Sequence, residues 1–495
     1  MQIEKNTTGF GQRKFRPGFT RTTDQAWLVA LVVGLGLSLL FTTVQIALLN
    51  TILIFLFVLF VGLALCCVVR RKLKEPKLRV LGTLWLVKLG LTLVLLYVGW
   101  MPQLDASTSA SWGYDPQRYY KDAFDLIENG WSPLAGMNYQ GIVYYYGAIF
   151  YMFGHNPIIP ALLNAFVTLL GTLFLIRCAY EFKGARGPKD WRIAYLLLIP
   201  ELLWFDVMTS RETLMAVLVL ISLLTVGRYF TRSKRMSLAI ALVPVGICLG
   251  SILVVRTTMA ISVIGTIGIM ALFLRTRKDF SWQGKLIIIG LGLAMLASGP
   301  MFQEIVGGSD VNYMETLKAL KSFEKNVASS SGTTWSENSI GLLFIPSNTM
   351  QAFLFTPPRM VFYLVAPFPN VTVSIDDLLA GHWASWQYLM MAVTSVLHLM
   401  FLPYAMAGFA LAWRQRHIQS APLVLHISFW ATFFAIVAGN MIIQERYRVM
   451  VTLLLFACVW LGYTSCTSKQ VGRFSYPWFS FLMGSVIFYL FYKAP

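Results

Sequence analysis

Uninterrupted apolar runs of about 20 residues recur along this chain, each long enough to cross a ~30 Å hydrocarbon layer as an α-helix. Backbone polar groups in lipid have to be satisfied within their own segment, so such runs dictate helices rather than open sheets. They fall at roughly 26–47, 50–69, 80–100, 158–178, 193–209, 213–230, 237–255, 258–274, 284–302, 387–411, 422–441, 449–465 and 475–492. The expected fold is an all-α polytopic membrane protein with about thirteen transmembrane helices. A barrel would call for short alternating segments instead. Composition agrees, since 57% of the 495 residues are hydrophobic and only 13% are charged. The run from Trp27 reads as a retained span, because no small-residue cleavage site ends it. Pro357, Pro358, Pro367 and Pro369 argue that region 350–367 is a broken or surface-lying helix rather than a fourteenth span.

A formal charge of +18 raises the question of nucleic acid. The basic residues, however, form short clusters between spans, which is what membrane orientation requires. With the N-terminus in the cytoplasm, 28 of the 40 lysines and arginines fall on the inner side, mostly in short loops. The expected layout is a cytoplasmic tail over 1–25 and a single transmembrane catalytic domain over 26–495, with outer loops at about 101–157 and 303–386. The six cysteines lie in or beside spans without zinc-type spacing, so no structural disulfide is expected.

In the first outer loop, Asp115 followed by Pro116 reads as a helix start and Gly130 as its stop. The helix between them puts Asp115, Arg118, Tyr119 and Asp122 on one face. A second helix, about 140–153, carries Tyr144, Tyr145, Tyr146, Phe150, Tyr151 and Phe153, an aromatic load suited to the headgroup layer.

Charges at the outer ends of spans are the sharpest chemical signal. Arg211 and Glu212 stand where two spans meet, with Asp206 shortly before them. Arg256 stands alone at a hairpin tip, and Arg446 and Arg448 precede a late span. A guanidinium at the membrane needs a partner or an anion, and its planar fork suits phosphate. If the three tips converge, they form a phosphate cradle; otherwise they pair internally, for example Arg211 with Asp206. Asp115 could accept a proton from an acceptor group beside the membrane, and Asp122 is a second candidate. Asp105 is a weaker one. Lys88 and Glu201 lie at equal depth, ~12 Å into their spans, which suggests a buried ion pair between them. His382 could bind substrate or a metal, or act as an acid. Asp376 and Asp377 resemble half a metal site but also read as a helix start.

The segments "YDPQRYYKDA", "NPIIPALLNAFVTLLGTLFLIRCAYEF" and "QERYRVMVTLLL", in this order, resemble the GT-C superfamily of membrane glycosyltransferases. That superfamily includes the protein mannosyltransferases and the aminoarabinose transferases of lipid A. The resemblance implies an enzyme that moves a sugar from a polyprenyl-phosphate donor to a glycan, lipid or protein acceptor at the outer face of a bacterial inner membrane. The family's acid falls on Asp115, and its phosphate contacts on Arg211, Arg256, Arg446 or Arg448. Membrane lipids would be partners and nucleic acid would not. No cofactor is implied, and a divalent metal stays open. Pro116 stands where many members carry a glutamate after the aspartate, and two spans before Val80 are additional. Two other functions fit the same pattern: a polysaccharide polymerase using diphosphate-linked repeats, and a transporter of lipid-linked sugar. The transporter lacks support from internal repeats or matched broken spans.

Overall fold

The computed structural model describes residues 47–101, 104, 115–132, 140–183, 190–231, 238–274, 351, 354–365, 373–416, 420–439 and 445–493. The expected first span at 26–47, the span at 284–302, Asp105 and most of the 303–386 loop lie outside these. The described elements are helical, with no strand among the described residues. In chain order they are α1 (Ala47–Leu73), α2 (Val80–Leu95), α3 (Asp115–Glu128), α4 (Gln140–Phe153), α5 (Ile158–Lys183), α6 (Pro200–Val207), α7 (Glu212–Thr231), α8 (Leu238–Val255), α9 (Thr257–Phe273), α10 (Thr356–Val365), α11 (Ile375–Leu379), α12 (Trp383–Arg414), α13 (Ala421–Gly439), α14 (Val449–Ser465) and α15 (Ser468–Lys493).

Seven of the described helices are long and apolar enough to cross a membrane: Leu49–Leu73, Pro76–Trp100, Ile158–Lys183, Glu212–Thr231, Ser385–Arg414, Ala421–Ala438 and Arg446–Ser465. α8 and α9 are apolar but shorter. The protein is thus an integral membrane protein by the length and apolarity of its helices. α14 and α7 bury 78% and 72% of their apolar windows while α1 buries 22%, so the former two stand in the core and α1 at the rim. α12 and α14 approach closely because Gly462 faces the Tyr404 carbonyl, where any Cβ would overlap it. Small residues permit such crossings where lipid offers no hydrophobic drive between helices.

The expected span at 193–209 is not one helix. A 3-10 helix over Trp191–Leu198 ends at Ile199, whose extended backbone (φ −63°, ψ 120°) leads into Pro200 at the start of α6. Proline disfavours the helical conformation in the residue before it and supplies no N–H. The last expected span, 475–492, lies within the 26-residue α15. Region 350–367 holds the ten-residue α10, too short at ~15 Å to span. One face of it, Thr356, Arg359, Tyr363 and Leu364, is buried.

α3 starts at Asp115 and runs to Glu128, then closes with Gly130 at φ +62° and Trp131 N–H donating to the Leu126 carbonyl at 2.9 Å. Pro116, Tyr119, Ala123 and Leu126 form its buried face. Asp115 and Tyr119 share a side, while Arg118 is exposed and meets the largely buried Asp122 at 3.7 Å. α4 is not a freely exposed aromatic helix either: Tyr146, Phe150 and Phe153 are buried, and Phe150 stacks on Phe124 of α3 at 4.7 Å between centroids. At its start Gly141 abuts Val254 of α8, whose carbonyl oxygen would lie 2.5 Å from a Cβ there.

Candidate functional site

Three chain reversals at one end of the bundle bring the site together. The first is the turn between α6 and α7. Asn164 of α5 donates to the carbonyls of Met208 (3.0 Å) and Asp206 (3.3 Å), and Tyr146 of α4 donates to the Ser210 carbonyl at 2.6 Å. Thr209 donates to the Pro116 carbonyl at 2.5 Å, fastening this turn to the start of α3. Arg211 and Glu212 follow immediately, on a backbone fixed from three sides.

The second reversal is Arg256 itself. It is the single extended residue (φ −165°, ψ 100°) between α8 and α9, and its Nε donates to Thr258 Oγ1 at 3.3 Å. The third is the 3-10 turn Glu445–Arg448 ahead of α14. A 3-10 helix advances ~120° per residue, so Arg446 and Arg448 point to different sides. Arg446 faces the site and Arg448 the core.

At their meeting point, Arg446 Nη1 donates to Asp115 Oδ2 at 2.6 Å, and its Nε stands 4.0 Å from Glu212 Oε1. Arg211 Nε stands 3.9 Å from the same Glu212 oxygen. The Arg256 guanidinium lies 4.1 Å from the Tyr447 ring centroid and the Arg446 guanidinium 5.6 Å from it. The Arg211 guanidinium faces the Tyr119 ring at 6.0 Å. Burial pushes the Tyr119 phenol up, with Asp115 and Glu212 adding to the shift and Arg211 and Arg446 opposing it. Tyr119 is thus a neutral donor or a packing surface, not a base.

Arg211 Nε and Glu212 Oε1 are buried and make no hydrogen bond among the described residues. Water, an ion or a ligand supplies partners to buried charged atoms of this kind. An anion between Arg211, Arg256 and Arg446 would do so for the cations, and a hydroxyl-bearing group would do so for Glu212.

The remaining expected residues fall elsewhere. Arg448 is fully buried: Nε donates to Glu201 Oε2 at 2.8 Å, Nη1 to Ser395 Oγ at 2.7 Å and the Tyr363 carbonyl at 3.1 Å, and Nη2 to the Met391 carbonyl at 2.7 Å. Its fork is occupied by the protein, so it is a structural clamp and not part of the phosphate cradle. The expected pair of Lys88 with Glu201 does not form. Lys88 Nζ instead donates to Asp206 Oδ2 at 2.5 Å, and Thr168 donates to Asp206 Oδ1 at 2.5 Å. Asp206 is thereby unavailable to Arg211. Arg118 and Asp122 pair with each other outside the cluster. Burial raises the Asp122 carboxyl above its usual range, with Arg118 opposing the shift. His382 is exposed ahead of α12, and among the described residues no contact joins it to the cluster. Ser374 caps α11 by accepting from the N–H groups of Asp376 and Asp377, which sit in the first turn. Among the described residues no three His, Cys, Asp or Glu side chains gather around a metal-sized space.

Tyr447 is the site residue that sequence reasoning passed over. Its only signal is its position between two arginines in "ERYR". No family model, curated protein or solved structure matches this chain.

Proposed function

We propose that this protein is a membrane glycosyltransferase of the GT-C kind, moving a sugar from a polyprenyl-phosphate donor to an acceptor hydroxyl or amine. The observation that carries the reading is the convergence of Asp115 with Arg211, Arg256 and Arg446 from four separate chain segments. Asp115 takes the proton of the acceptor, whose oxygen or nitrogen attacks the anomeric carbon. The bond from that carbon to the phosphate oxygen breaks, and its electron pair leaves with the polyprenyl phosphate. The arginines stabilise the charge that grows on the departing phosphate.

Charge balance favours a monophosphate donor over the diphosphate of a polymerase. Three guanidiniums against the carboxylates of Asp115 and Glu212 leave one net positive charge among the described residues of the cluster. A polyprenyl-phosphate sugar is a phosphodiester with one negative charge. After transfer Asp115 is protonated, the cluster carries two positive charges, and the released phosphomonoester carries about −1.5 to −2. The site is thus close to neutral with donor and with product. A diphosphate would leave excess negative charge at both stages.

The reading carries a finer topology: thirteen spans, a cytoplasmic N-terminus, and a site facing the periplasm of a bacterial inner membrane. Supporting it, the cluster and the basic inner-loop residues sit at opposite ends of the same helices. Arg228, paired with Glu181 at 2.9 Å, lies ~24 Å along α7 from Glu212. The test is Asp115→Asn in purified protein. Transfer is lost while polyprenyl-phosphate lipid still copurifies, as read by mass spectrometry; full turnover by this variant removes the assignment.

A further inference from the structure

We infer that the Asp115–Arg446 ion pair is a latch that the donor phosphate opens, so that the base becomes free only after the donor has bound. The inference rests on the transferase reading above. One contact ties the two partners together: Arg446 Nη1 donates to Asp115 Oδ2 at 2.6 Å. Charge-assisted contacts of this length are among the strong hydrogen bonds of proteins. An oxygen engaged in this way is not presented to an acceptor proton. A guanidinium engaged in this way has part of its fork withheld from phosphate.

Two features distinguish this pair from the other ion pairs of the core. First, it is accessible. The Asp115 side chain is 35% exposed and Arg446 18%, whereas Arg448–Glu201 and Lys88–Asp206 are shut off from solvent. An anion can reach it without unpacking helices. Second, both partners are anchored independently of each other. Thr209 holds the start of α3 through the Pro116 carbonyl, so Asp115 stays in place when the pair opens. Arg446 is steadied by the Tyr447 ring and by Glu212 behind its Nε, so a small turn of its head suffices. Phosphate offers several charged oxygens in the geometry a guanidinium prefers. It therefore competes with the single carboxylate oxygen for Arg446, and acceptor activation follows donor binding.

Coupling of this kind is reciprocal: if phosphate displaces Asp115 from Arg446, then Asp115 weakens phosphate binding. The test measures affinity of the purified full chain in nanodiscs for a short-chain polyprenyl phosphate, with the matching polyprenol as uncharged control. Asp115→Asn tightens binding of the phosphate by at least about fivefold. The same substitution in an Arg446→Gln background gives no such gain. An equal gain in both backgrounds reduces Asp115 to simple charge repulsion and overturns the latch, as does no gain in either. A second measurement uses the unaltered protein. Carbodiimide labelling of Asp115, read by mass spectrometry, rises several-fold with the polyprenyl phosphate and not with the polyprenol; unchanged labelling overturns the latch. If the wild type does not prefer the phosphate to the polyprenol, the transferase reading itself fails. Preference without coupling removes the latch alone.

Discussion

Glu201 and Asp206 stand on the same short helix and pair in opposite directions, Glu201 with Arg448 of the turn before α14 and Asp206 with Lys88 of α2. Five residues of α-helix turn the side chain by ~500°, which brings Asp206 to nearly the far side from Glu201. α6 is thereby held between two helices by two buried charge pairs, and the turn that follows it carries Arg211. Removing Lys88 strands a carboxylate in the core. Lys88→Met is expected to lower stability by about 3–5 kcal/mol, and Lys88→Met with Asp206→Leu to recover most of that loss. Thermal unfolding in one detergent compares the three proteins. Equal stability of the single and double variants would contradict the pairing.

Arg446 and Arg448 offer a sharper contrast, being two residues apart. Arg448→Leu breaks four kinds of buried contact and is expected to destabilise by about 3–5 kcal/mol. Arg446→Gln leaves unfolding nearly unchanged, since its pair is partly exposed, but weakens binding of polyprenyl phosphate. Unfolding curves and lipid binding on the same preparations decide whether the division of labour holds.

Thr209 joins the start of α3, which carries Asp115, to the arginine turn by one hydrogen bond to the Pro116 carbonyl. Thr209→Val should cost about 1 kcal/mol of stability. Its larger effect is on turnover, down by as much as about 10²-fold through misplacement of Asp115 relative to the anomeric carbon, with donor affinity little changed. Steady-state kinetics at saturating donor separates the two parameters. A loss confined to donor affinity would contradict the positioning role.

How much of this was legible in letters varies with the physics involved. Apolar length forecast the helices because the membrane reads length and apolarity directly. The Asp-Pro start and Gly130 stop forecast α3, because capping is local chemistry. Pairing was not legible in the same way. Lys88 and Glu201 were matched by depth alone, which says nothing about direction around the helix, and Asp206 rather than Glu201 meets Lys88 of α2. The break at Pro200 escaped because hydropathy merges two apolar pieces on either side of a proline. Arg211, Glu212, Arg256 and Arg446 stood out as charges at the ends of apolar runs. Asn164 and Thr209, which fix the turn before Arg211, are ordinary polar residues, and only the fold gives them a role. Tyr447 likewise looks like any interfacial aromatic.

Asp122 provides a pH test outside the spans. Burial raises its folded-state carboxyl, so the folded protein holds this proton to higher pH than the unfolded chain does. Its favourable contribution is complete below the usual aspartate range and disappears as pH climbs through the raised folded value. Asp122→Asn removes this dependence. The variant is expected to gain stability over the wild type as pH rises from acidic to neutral, and the gap closes in acid. Unfolding midpoints at several pH values check this, and a gap that widens in acid would contradict it.

The two charge pairs also constrain how the chain is made. Lys88 and Asp206 are 118 residues apart, and Glu201 and Arg448 are 247 apart. At roughly 5–20 residues per second, the lysine waits ~6–24 s for its counter-ion, and the glutamate ~12–50 s for its own. During those intervals a bare charge has entered the insertion machinery with nothing in the nascent chain to neutralise it. The first pair can close before half of the chain is made, whereas the second waits for Arg448, so the bundle closes around Glu201 only near the end of translation.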